Sequence, residues 1–127
     1  MGFEIDYTHG WHAPEFWEGI STRWMGREAH FKIDAPTEGL VEFAFRALPQ
    51  RPGSMTLSLK QGPIPLLSAE LSEPVQEIRS YVAVIPGVNY VTVQINGDIF
   101  SPASRGESSD TRELSIAAQG LSARLLA

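Results

Sequence analysis

The strongest constraint on the fold of this 127-residue chain is an alternation of apolar and polar residues that recurs along most of its length. It is clear in "EAHFKID", residues 28–34, and again in "LVEFAFRAL", residues 40–48. Strict period-two patterning places successive side chains on opposite faces of a β-strand. Because no stretch sustains an apolar stripe at helical spacing, the chain is predicted to be all-β.

Later segments repeat the alternation and complete the predicted fold. Turn-forming glycine, proline and asparagine residues separate these segments, and the gaps leave no room for a long helix. About eight short strands with short connections predict a single antiparallel β-sandwich, jelly-roll-like, over residues 1–127. The Met-Gly start and "ARLLA" end are also compatible with a domain taken from a longer protein. The later alternating segments are 54–60, 78–86, 89–96, 112–119 and 121–127.

Composition excludes several classes of function. Fifteen acidic against ten basic residues give a net charge of -5, which argues against a nucleic-acid partner, because phosphate binding depends on clustered cations. No apolar run approaches the roughly 20 residues of a membrane-spanning helix. The absence of cysteine excludes disulfides and thiolate catalysis. No signal peptide is recognisable, so the cytoplasm is the expected location.

All three tryptophans lie in "GWHAPEFWEGISTRWM", residues 10–25. Trp24 is predicted to pack inward from an early strand, whereas Trp11 and Trp17 are predicted to form an exposed platform in a loop. An exposed indole offers a flat apolar surface to a sugar ring, and nearby polar groups can bind its hydroxyls. The segment therefore predicts a carbohydrate site. Its candidate ligand-binding residues are Trp11, His12, Glu15, Trp17 and Arg23.

A catalytic interpretation of the same segment is weaker. Glu15 and Glu18 have the chemistry of a glycosidase carboxylate pair, since one acid and one base or nucleophile flank the bond that is cleaved. Acidic residues in a solvated loop are far more common. No nucleophile elbow, phosphate loop or zincin helix accompanies them, so the chain is predicted not to be an enzyme.

Metal binding is also disfavoured. His9 and His12 are three residues apart but have no third ligand nearby in sequence. Asp98 and Asp110 carry oxygens suited to calcium, yet "NGD" at 96–98 is more typical of a hairpin turn. No metal and no cofactor are therefore predicted.

The longest connection without an alternating pattern runs from Ser101 to Asp110. It is long enough to suggest a functional or mobile loop.

Three separated motifs carry a resemblance that spans nearly the whole chain. "GWHAPE", "RWMGREAHFKI" and "IFSPASRGESSDTRELSIA" resemble, in order and spacing, an accessory β-sandwich domain of bacterial glycosyltransferases and surface-polysaccharide proteins. The chain departs from that pattern at Ser115, where glycine is usual. The matched positions are Gly10, Trp11, Glu15, Arg23, Trp24, Gly26, Phe100, Pro102, Asp110, Arg112 and Leu114.

The resemblance implies a non-catalytic module that binds an oligosaccharide or polysaccharide, with a glycosyltransferase domain in the same chain as a further partner. It adds Asp110 and Arg112 to the candidate ligand-binding residues. A structural alternative stays open, in which Arg23 or Arg112 pairs with Glu15 or Asp110 in a buried network. Two other functions also stay open: a protein interaction or oligomerisation domain, and a small glycan hydrolase or lyase.

Overall fold

The computed structural model describes residues 2–3, 5–49, 53, 55–97 and 114–126. This part of the chain contains ten strands and no helix, and every strand pairing is antiparallel. The prediction of an all-β antiparallel sandwich is confirmed. The strands are β1 (Gly2–Phe3), β2 (Ile5–Trp11), β3 (Glu15–Trp17), β4 (Ile20–Ala35), β5 (Gly39–Pro49), β6 (Met55–Gln61), β7 (Ile64–Leu71), β8 (Gln76–Val84), β9 (Gly87–Gly97) and β10 (Ile116–Leu125).

The 16-residue strand β4 belongs to both layers of the sandwich. Its second half, 28–35, pairs with β9, and its first half, 22–25, pairs with β10. Strands β2 and β3 lie along its other edge. Sheet 1 consists of β7, β6, β9, the second half of β4 and β2, in that order. Sheet 2 consists of β3, the first half of β4, β10, β5 and β8, in that order.

The core lies between the inner faces of the two sheets. Phe31 of sheet 1 and Phe43 of sheet 2 meet edge to face, with ring centroids 5.5 Å apart. Both rings are fully buried, and burial of each such side chain contributes about 1.5–3 kcal/mol to folding. The predicted alternation holds on β4, β5, β6 and β9, whose inward positions are buried. The largest fully buried side chains are Phe31, Phe43, Met25, Ile33, Leu57, Leu59, Leu71, Ile95, Ile116, Val41, Val82 and Val91.

A sharp bend lets β4 pass from one sheet to the other. Between the pairs His9↔His30 and Trp11↔Met25, β2 advances two residues while β4 advances five. Ser115 binds two carbonyl groups at this bend. Its backbone N–H donates to Met25 O at 2.9 Å, and its hydroxyl lies 2.5 Å from Gly26 O.

The N-terminal region differs from the sequence prediction. The sequence predicts that Trp11 and Trp17 lie in a loop, but Trp11 ends β2 and Trp17 ends β3. Glu18 and Gly19 form a two-residue turn with φ of 53° and 79°, the conformation of a type I′ hairpin. Bulges interrupt the alternation in β2, so its period-two pattern could not be read.

Gly10 gives a test of the bend in β4. Its φ is +88°, and a Cβ there would lie 2.1 Å from the carbonyl oxygen of Glu28. Gly10→Ala is expected to lower the free energy of unfolding by roughly 3 kcal/mol or more, because the strain of positive φ adds to a backbone clash. Urea denaturation followed by circular dichroism measures this loss.

Gly62→Ala is the matched control, since Gly62 also has positive φ, +57°, but has nothing within 4 Å of its added Cβ. That variant is expected to lose only about 1 kcal/mol. Equal losses in the two variants would contradict the close approach of β2 and β4.

Candidate functional site

A row of polar side chains crosses all five strands of sheet 2. The pairings Glu15↔Thr22, Thr22↔Gln119, Gln119↔Arg46 and Arg46↔Glu77 join β3, β4, β10, β5 and β8 in register. Paired residues of antiparallel strands lie on the same face of a sheet. The buried residues that alternate with them face the core, so this row lies on the outer face of sheet 2.

Two tryptophans lie beside this row on the same face. Trp17 pairs with Ile20 and Trp24 pairs with Ala117. Their ring centroids are 5.8 Å apart in an edge-to-face arrangement, and both side chains are partly buried. The indole N–H of Trp17 donates to Glu15 Oε1 at 3.4 Å. This contact links the aromatic pair to the polar row.

A groove of about 270 Å³ runs along the same face. It forms where β10 departs from regular pairing between Gln119 and Ser122, at Gly120 with its φ of 67°. The volume is just below the range of about 300–1,000 Å³ that is usual for small-molecule sites. The groove therefore suits a small ligand or a short segment of a longer one. It is lined by Ile20, Ala44, Phe45, Arg46, Glu77, Gln119 and Gly120.

Ion pairs occupy the part of this face next to the groove. Glu42 accepts hydrogen bonds from Arg124 Nε at 3.0 Å and from Arg79 NH1 at 3.3 Å. Burial raises the pKa of the Glu42 carboxyl, but the two arginines outweigh that effect and hold it below its ordinary value. Arg79 also binds Glu77 at 2.5 Å, and this hydrogen bond is the main cause of its raised pKa.

The other predicted site residues form a second cluster that faces the interior. Trp11 packs against the core and donates its indole N–H to His30 O at 2.8 Å. Its ring meets Tyr7 edge to face at 5.2 Å. Trp11 therefore supports the core instead of presenting an exposed platform, and its role in ligand binding stays a prediction.

Arg23 completes this inward cluster. Its guanidinium lies 4.1 Å from the centre of the Tyr7 ring, a cation–π geometry, and donates to His12 O at 3.3 Å. Its Nε atom is buried and has no hydrogen-bond partner among the residues that the structure describes. Burial raises the pKa of the Tyr7 phenol, which the charge and hydrogen bond of Arg23 partly offset. His12 lies between β2 and β3, and its backbone N–H donates to Trp24 O at 2.9 Å.

The prediction that Trp24 points inward is wrong. Met25 is the fully buried residue at this point of β4, and Trp24 is partly exposed on the opposite face. The bend in β4 and the bulges in β2 decide which tryptophan faces which way. Asp110 and Arg112 lie outside the described residues, as does the predicted loop from Ser101 to Asp110.

The residues of the metal-binding and catalytic interpretations lie in separate parts of the fold. His9 stacks on His30 with ring centroids 4.3 Å apart, on the outer face of sheet 1. Across the described residues, no group of three or more His, Asp or Glu side chains is arranged to hold a metal. Glu18 is exposed in the hairpin turn, while Glu15 is partly buried on β3. Within the same ranges, no helix is long and apolar enough to cross a membrane.

The sequence did not identify the groove residues Arg46, Glu77 and Gln119. The alternation in "LVEFAFRAL" predicts only that Arg46 faces outward from its strand. The three residues come together because β5 pairs with both β8 and β10, and this strand order is not legible in the sequence. Their outward position on alternating strands was the available signal.

Comparison with known proteins identifies the fold. No protein-family model matches the chain, and no curated protein sequence matches it. Solved structures do match. A family 35 carbohydrate-binding module from an environmental isolate superimposes with a TM-score of 0.56 and 8% identity, covering 98% of this chain and 93% of that one.

Two further structures agree with this match. The C-terminal family 6 carbohydrate-binding module of a marine laminarinase from Zobellia galactanivorans gives a TM-score of 0.52 at 10% identity, covering 91% of this chain and 88% of that one. A β-1,4-mannanase with a family 35 module from Podospora anserina gives 0.53 at 7% identity, over 100% of this chain and 26% of that one. The chain has the β-sandwich fold found in these carbohydrate-binding modules.

The separation of the tryptophans between two faces predicts different effects of truncation. Trp11→Ala is expected to lower the free energy of unfolding by about 3 kcal/mol, because a core contact and a hydrogen bond are lost. Trp17→Ala is expected to cost only about 1 kcal/mol, mainly the aromatic pair with Trp24. Urea denaturation followed by far-ultraviolet circular dichroism gives both values. A larger loss for Trp17→Ala than for Trp11→Ala would contradict the assigned faces.

Proposed function

We propose that this chain is a non-catalytic carbohydrate-binding module that binds an oligosaccharide or polysaccharide on the outer face of sheet 2. The observation that carries the proposal is the in-register polar row beside the Trp17–Trp24 pair, along a groove. The fold, shared with carbohydrate-binding modules, supports it.

The chemistry of this face suits a sugar. A pyranose has an apolar C–H face and a rim of hydroxyl groups, so it requires both aromatic and hydrogen-bonding contacts. The partly exposed rings of Trp17 and Trp24 supply apolar surface. Gln119 can both donate and accept hydrogen bonds, while Arg46 donates and Glu77 accepts. All three polar residues line the groove beside Ile20, the cross-strand neighbour of Trp17.

The proposed site keeps two residues from the sequence prediction, Glu15 and Trp17, and adds Trp24 with the three groove residues. Trp11 and Arg23 hold the first half of β4 against β2 and so support this face from behind. Participation of Asp110 and Arg112 stays a prediction. A small open site of this kind is expected to bind weakly, at about -4 to -8 kcal/mol, that is, millimolar to micromolar.

We also propose that the module is an accessory to a glycosyltransferase domain of a bacterial polysaccharide system, working in the cytoplasm. The motif resemblance at both ends of the chain supports this assignment. The mannanase structure offers a parallel, because this chain matches about a quarter of a longer glycan-active protein.

The absence of catalysis is tested by incubation with polysaccharides, which is expected to release no new reducing ends.

A titration with bacterial oligosaccharides, followed by the three indole N–H signals in two-dimensional NMR, tests the site. Saturable shifts are expected for Trp17 and Trp24, with a much smaller change for Trp11, whose N–H is bound to His30 O. Trp17→Ala is expected to weaken binding at least about tenfold, because stacking surface is lost.

Phe16→Ala is the matched control for this experiment. Phe16 is the neighbouring residue on β3, has 71% of its surface exposed and lies on the opposite face of the strand. Its removal is expected to leave the affinity unchanged. Binding that survives Trp17→Ala but is lost in Phe16→Ala would move the site to the other face, and no shift with any glycan would refute the proposed function.

A further inference from the structure

Arginines outnumber acidic residues on three strands of the outer face of sheet 2, although the whole chain has a net charge of -5. On β5, β8 and β10 the outward charged residues are three arginines and two glutamates. They are Arg46, Arg79, Arg124, Glu42 and Glu77. Glu15 of β3 adds a third acidic residue to this face, three strands away from Arg46 in the polar row.

The ion pairs distinguish Arg46 from the other two arginines of these strands. Both glutamates are occupied, since Glu42 binds Arg79 and Arg124, and Glu77 binds Arg79. Glu77 lies directly opposite Arg46 in register, yet it turns to Arg79 instead. The guanidinium of Arg46 contacts no carboxylate in the part of the chain that the structure describes.

Arg46 is also the cation placed to meet a ligand. It is exposed and lines the groove, between Gln119 on one neighbouring strand and Glu77 on the other. A guanidinium presents a planar set of N–H donors that matches a carboxylate in a bidentate arrangement. The side-chain amide of Gln119 adds a neighbouring donor for the same group or for an adjacent hydroxyl.

From this geometry, and resting on the proposed function, we propose that the ligand is an acidic glycan whose carboxylate or other anionic group is bound by Arg46. The sugar ring lies towards Ile20 and Trp17, and the anionic group lies at Arg46, the fourth of the five members of the polar row. A neutral glycan would leave the charge of Arg46 without a partner.

Matched acidic and neutral ligands distinguish a preference for acidic glycans from carbohydrate binding in general. Calorimetric titration compares short oligomers of galacturonic, glucuronic and mannuronic acid with the carboxyl-reduced form of each, which keeps the ring and linkage but lacks the charge. At least one acidic oligomer is expected to bind ten times or more tightly than its reduced form. Its affinity is expected to fall as salt is raised, because a partly exposed ion pair is screened.

Two substitutions assign the effect to the groove. Arg46→Gln is expected to abolish the preference for the acidic form and to flatten the salt dependence, while Arg46→Lys, which keeps the charge but loses the planar fork, is expected to retain part of it. Arg124→Gln is the control, because it removes the same charge from the same face but outside the groove, where Arg124 binds Glu42. It is expected to keep the preference. Thermal melting checks that all three variants fold.

The outcomes are distinct. Equal or tighter binding of the reduced oligomers would overturn the proposal while leaving carbohydrate binding intact. A preference that survives Arg46→Gln would overturn the role of Arg46. No binding of any glycan, acidic or neutral, would refute the proposed function itself, and the inference with it.

Discussion

The backbone pairing of β4 is the constraint on which the rest of the structure depends. One edge of this strand is shared between β9 and β10, and the other is covered by β2 and β3. Both sheets are therefore continuous with the same strand. Ser115 supports the bend between its two halves, because its hydroxyl donates to carbonyl groups of Met25 and Gly26. Ser115 thus has a structural role at a position where glycine is usual in the domain that the sequence motifs resemble.

The same bend places the tryptophans on two different faces of the molecule. Because β2 is bulged near Thr8, His9 lies opposite His30 on the outer face of sheet 1, while Tyr7 and Trp11 lie towards the core. Trp17 and Trp24 lie on the outer face of sheet 2. One cluster of aromatic residues in sequence thus becomes two clusters in space. The inward cluster stabilises the N-terminal strand, and the outward cluster leaves two indole rings partly exposed on the face of sheet 2.

The sequence was sufficient where alternation was uninterrupted. It predicted the inward positions of β4 after Glu28 and those of β5 around Phe43, because large apolar residues there alternate with polar or small ones. It failed before Ile20, where Gly10 and the Glu18–Gly19 turn break the period. It also reversed Trp24 and Met25, since both are apolar and local pattern cannot choose between them. The partners of Arg46 could not be predicted, because they depend on which strands are neighbours.

The in-register row on sheet 2 also sets a length scale. Neighbouring strands are about 4.8 Å apart, so the five residues from Glu15 to Glu77 span about 19 Å. Thr22 is buried, but the other four members of the row are at least partly exposed. A linear polymer lying perpendicular to the strands would meet polar contacts at intervals fixed by the hydrogen-bonded spacing of the backbone. The spacing of these contacts would therefore be set by the strands of the sheet and not by the length of any side chain.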